Sequence, residues 1–145
     1  MPKNWRTAGA VVAATALLPL LTPGPATAAE PVRLTFDKAA VSAGTWAGTV
    51  TFEGEPQPAA LTTVLTGFAV VGPNLLVSFD WIIDAGERSF TASMDGVLNG
   101  TTGSVVMNGT VVEGWGEGAR VHEQGTLVDP ATQRYSGTIR VQGSG

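Results

Sequence analysis

The chain has no cysteine, one histidine and one tyrosine. Without cysteine it can form no disulfide and no thiolate metal site, and it cannot carry a lipid on an N-terminal cysteine. The single histidine, His122, falls short of the usual zinc ligand sets, so neither a metal nor any other cofactor is expected. Basic residues are also scarce. Only eight Lys and Arg face twelve Asp and Glu, and no Lys/Arg cluster occurs, which argues against nucleic acid as a partner. After residue 28, no window long enough for a helix shows apolar spacing of three and four, and no apolar run is long enough to span a bilayer.

What the chain does have begins with a leader. "MPKNWR" supplies Lys3 and Arg6, an uncharged apolar run covers 8–21, and "TPGPATA" ends in Ala26-Thr27-Ala28, the small-residue pattern of a signal peptidase site. The run is shorter than the ~18 residues a membrane anchor requires. Residues 1–28 are therefore read as a secretory signal and 29–145 as one exported domain, with no membrane association after cleavage. Six basic residues then remain against all twelve acidic ones, a net charge of −6.

The mature part alternates with a period of two. In "NLLVSFDWIID", Leu75, Val77, Phe79, Trp81 and Ile83 share one face, with Ser78, Asp80 and Asp84 on the other. "ERSFTASMDGVL" and "TWAGTVTFE" alternate in the same way. Turn residues punctuate these runs at Asp84-Ala85-Gly86, at Asn99-Gly100 and at Asp129-Pro130-Ala131-Thr132. About seven or eight strands result, over 32–36, 44–53, 59–67, 75–84, 87–98, 103–113, 118–128 and 133–142. Successive short strands with tight turns predict an all-β fold. An antiparallel up-and-down barrel is expected, with a β-sandwich as the alternative; closure removes exposed sheet edges.

The richest polar stretch is "VVEGWGEGARVHEQGTLVDP", 111–130. Alternation puts Arg120, His122, Gln124 and Thr126 on one face and Ala119, Val121, Glu123 and Leu127 on the other. His122 and Glu123 thus point opposite ways and form no compact acid–base pair. No H-E-x-x-H or G-x-S-x-G motif is present, and Ser104 and Ser136 sit in ordinary strand patterns. "GWGEGA" fits a dinucleotide fingerprint variant but opens no helix, so it reads as a glycine loop carrying Trp115. Asn99-Gly100-Thr101 and Asn108-Gly109-Thr110 match the glycosylation acceptor pattern, which is too common to carry weight. If the Glu123 face is interior, its carboxylate sits among apolar groups and needs an Arg or Tyr partner; at a barrel mouth it would instead be solvated or paired with Arg134 or Arg140.

The segment "VVMNGTVVEGWGEGARVHEQGTLVDPATQRYSGTIRV", 105–141, resembles a pattern in small exported bacterial proteins of uncharacterised function. The general plan is similar to compact barrels of the calycin and allene-oxide-cyclase type. That resemblance implies a barrel and carries over no catalytic residue. Three functions remain open. The first is a secreted, non-enzymatic barrel binding a small apolar molecule or an extracellular protein. The second is a cofactor-independent cyclase or isomerase, and the third an inhibitor of an extracellular enzyme that presents loop 54–58 or 114–118. Glu123, Arg120, His122, Trp115 and Tyr135 are the candidate ligand-binding residues. An apolar hollow would favour a binder, a cavity with a carboxylate and a second convergent polar group an enzyme, and a filled interior an inhibitor.

Overall fold

A computed structural model describes residues 30–143. The expected signal segment, 1–28, lies outside the described residues. Eight strands form a closed barrel: β1 (Val32–Ser42), β2 (Thr45–Phe52), β3 (Ala59–Val71), β4 (Asn74–Asp84), β5 (Phe90–Asn99), β6 (Ser104–Gly114), β7 (Arg120–Asp129) and β8 (Arg134–Gln142). Each pairs antiparallel with the next, and β8 closes on β1 from Val32↔Val141 to Lys38↔Tyr135. The sheet is a barrel and not a sandwich.

Alternation decides what fills it. Leu34, Phe36, Val50, Phe52, Leu61, Phe79, Trp81, Ile83, Phe90, Met94, Met107, Val121 and Ile139 point inward and are buried. Most other charged and polar residues face out, with Lys38, Thr63 and Glu123 turned inward, and the apolar Leu76, Ile82, Val97 and Val106 are exposed on the outer surface as well. Burial of this set is the main stabilising term in a protein with no cross-link, at roughly 1.5–3 kcal/mol for each large apolar side chain.

Three strand ends depart from the expectation by three residues or more. The first strand runs to Ser42 instead of residue 36, because β1 keeps pairing with both β2 and β8 past Phe36. β3 runs to Val71 instead of residue 67, carried past an irregularity between Leu65 and Gly67 and closed by the tight Gly72-Pro73 turn onto Asn74. β5 starts at Phe90 instead of residue 87. Gly86–Arg88 form a short 3₁₀ turn in which the Ser89 hydroxyl accepts from the Ala85 N–H at 2.8 Å.

The two ends of the barrel differ. At the end holding the β2–β3, β4–β5 and β6–β7 connections, Trp115 packs 5.9 Å from Phe52 and 5.7 Å from Phe90, ring centre to ring centre, and the Arg88 guanidinium lies 4.0 Å from the Phe52 ring. Aromatic side chains close that end. The opposite end, ringed by the β1–β2, β3–β4, β5–β6 and β7–β8 turns, is hollow.

Candidate functional site

The hollow is a cavity of about 360 Å³, within the size range of small-molecule pockets. Its wall is mostly aliphatic and aromatic: Leu65, Leu75, Val77, Phe79, Leu98, Val105, Met107 and Leu127. Trp46, Pro130, Gln133 and Tyr135 stand around it as well. The Trp46 indole N–H donates to the Gln133 carbonyl at 3.1 Å, tying β2 to the β7–β8 turn. Gln133 itself holds a φ of +50°, a left-handed conformation that costs a residue with a side chain some energy.

Two ionisable groups interrupt this apolar lining. Lys38 follows Leu34 and Phe36 along the inward face of β1 and is 5% exposed. Its ammonium donates to the Thr63 hydroxyl at 3.1 Å. Aromatic rings surround it, with centres at 4.2 Å (Trp81), 5.1 Å (Phe79), 5.7 Å (Trp46) and 5.8 Å (Phe36). Such rings favour a cation through their negative faces.

Glu123 comes from the inward face of β7, opposite Met107 and Ile139, and is 1% exposed. Its Oε1 is buried without a hydrogen-bond partner. Oε2 lies over Gly125, which has no side chain to collide with it. Among the described residues no nitrogen–oxygen contact short enough for an ion pair joins Glu123 to Lys38. Burial therefore dominates both groups. It pushes the Glu123 carboxyl up to about 8, opposed by the Lys38 charge, and brings the Lys38 ammonium down to about 8, opposed by the Glu123 charge. Burial thus favours the neutral, proton-carrying carboxyl at Glu123, while the surrounding rings favour the cation at Lys38.

The sequence candidates separate into two groups. Glu123 and Tyr135 line the cavity, and burial raises the Tyr135 phenol. Arg120 and His122 project from the outer face of β7, where His122 Nδ1 lies 2.7 Å from Asn108 Oδ1. Trp115 is at the closed end, folded back on Phe52 and Phe90. The expected arginine partner for Glu123 is absent from the cavity lining, where the cation is Lys38, out of ion-pair contact. Arg134 instead forms a two-bond fork with Asp37 on the outer surface, at 2.9 and 2.6 Å, and Arg140 stands beside His122 on the outside. That fork, first through its hydrogen bonds, holds the Asp37 carboxyl below its ordinary value.

Lys38 is the residue sequence reading missed. The period-two series Leu34, Phe36, Lys38 carried the signal, but a lysine on the apolar face reads as the end of the strand. No group of three or more His, Asp or Glu among the described residues is arranged to hold a metal. Comparison with protein-family models, curated proteins and solved structures found no match.

Proposed function

We propose that this protein is an exported carrier whose barrel takes a small, largely apolar molecule through its open end. The observation that supports this reading is the 360 Å³ cavity, lined by aliphatic and aromatic side chains in a molecule whose other end is packed shut. An apolar molecule in such a hollow gains by leaving water, at roughly 25 cal/mol per Å². A hydrogen-bonding end on the same molecule would meet the unfilled polar atoms of Lys38 and Glu123. Export rests on residues 1–28, and N-terminal sequencing of protein from culture medium should find Ala29 or Glu30 first. Intact Met1 in the medium would refute it.

The binding test uses a cavity-filling variant. Leu98→Trp places an indole in the cavity from its wall, so it should abolish binding of an apolar fluorescent probe while leaving the far end of the barrel folded. Organic extracts of the purified wild-type protein, analysed by mass spectrometry, should contain a lipophilic molecule that the variant lacks. Equal probe binding by both proteins would overturn the carrier reading.

A second reading is favoured by one specific observation. Lys38 and Glu123 converge on the same cavity, and both exchange protons near pH 8, which is what proton-transfer chemistry of the isomerase or cyclase kind requires. A catalyst would turn over a bound carbonyl compound and lose activity in Glu123→Gln. A carrier would bind the same compound unchanged.

A further inference from the structure

Resting on the cavity reading, the geometry assigns a chemical class to the ligand: we propose that the site selects an apolar molecule ending in a carboxylate, seated between Lys38 and Glu123. An ammonium has three donors, and Lys38 has one protein acceptor, Thr63 Oγ1. Its remaining donors face a cavity whose lining holds no further acidic side chain besides Glu123. Glu123 adds a buried oxygen with no partner.

A neutral carboxyl is itself a donor. Lys38 and Glu123 together thus offer donors that only an acceptor-rich, negatively charged head satisfies, and each such bond is charge-assisted. An alcohol head would satisfy fewer of them. An ammonium head would meet the Lys38 charge and be repelled. Apolar walls above the pair suit the tail: Leu65, Leu75, Val77, Leu98 and Val105.

The arrangement also makes binding depend on pH. Lys38 and Glu123 lose protons near pH 8, after which the site holds a carboxylate and an uncharged amine, and both changes disfavour an anion. β2, β3, β4, β5 and β6 present Trp46, Thr63, Phe79, Trp81, Leu98 and Met107, none of which titrates, and β7 adds Leu127 beside Glu123. β8 presents Tyr135, whose phenol is raised further above its already alkaline value. On β1, Asp37 points outward to Arg134.

Calorimetric titration with decanoate, decanol and decylamine tests the assignment on the intact mature protein. At pH 7 decanoate should bind at least about tenfold tighter than decanol, as one charge-assisted bond of ~1.5 kcal/mol provides, and decylamine weakest. Above pH 8 decanoate affinity should fall by about tenfold per pH unit for each proton required, while decanol binding stays level. Lys38→Met should abolish the preference for the acid and retain decanol. Glu123→Gln keeps a donor on a neutral side chain, so it should keep decanoate binding and make its decline above pH 8 shallower. Equal affinity for decanoate and decanol, unaltered by Lys38→Met, would overturn the carboxylate assignment and leave the carrier reading intact. Binding of none of the three would sink both.

Discussion

A single missing side chain sets the position of the Glu123 carboxyl. A Cβ added at Gly125 would lie 2.6 Å from Glu123 Oε2, closer than such atoms approach, and at a tight 3.0 Å from the tip of Phe36. Glycine here makes room for a carboxyl and a ring to share the barrel axis. Gly125→Ala should therefore displace the carboxyl and cost about 1–3 kcal/mol, typical of overpacking, measured as a lower midpoint in urea. Ligand affinity should fall with it. An unchanged midpoint would mean that the carboxyl has free space elsewhere. The inward direction of Glu123 was legible from the alternation Val121, Glu123, Leu127. Its partner was not, because Lys38 lies 85 positions earlier in the chain and only barrel closure, β8 onto β1, brings the two strands near each other.

At the level of the strand, period-two patterning was sufficient for eight elements and insufficient for their ends. β4 shows why. Trp81 and Ile83 are buried while Asp80 and Asp84 face outward, as their alternation requires. Trp81→Asp should thus cost several kcal/mol or prevent folding, because it puts an unpaired charge in the core, whereas Asp80→Asn should stay within about 0.5 kcal/mol. Equal thermal midpoints for the two variants would contradict the assigned faces. Ends are harder because turns and pairing partners set them. Phe68 and Val70 lie beyond residue 67, and they remain strand by pairing with Val77 and Leu75 while being 63% and 66% exposed. Burial-based patterning has no signal there. Arg120 and His122, next to Glu123 in sequence, stand on the other surface of the same strand, as the alternation places them.

For the whole molecule, one buried pair of ionisable groups shapes the dependence of stability on pH. Glu123 titrates near 4.5 in an unfolded chain and about 8 when folded, so the folded state holds the extra proton between those values and stability falls as pH rises from 4.5 to 8. Lys38 titrates near 10.5 unfolded and about 8 folded, so the unfolded state holds the extra proton there and stability recovers from pH 8 to 10.5. Each unit of difference is worth about 1.4 kcal/mol, which makes the trough near pH 8 on the order of a few kcal/mol deep. Urea denaturation across this range, with wild type compared against two variants, isolates the pair from the other titrating groups. Glu123→Gln should remove the descending limb and leave the alkaline recovery, begun at lower pH because the charge that supports the Lys38 ammonium is gone. Lys38→Met should remove the recovery, and the descent should continue to higher pH, because the lysine charge that opposes desolvation at Glu123 is gone. A bound carboxylate should raise the acid side of the curve most, since it binds the form in which both protons are present. Parallel curves for all three proteins would mean that the two groups are solvated, and that the barrel end they occupy is open to water.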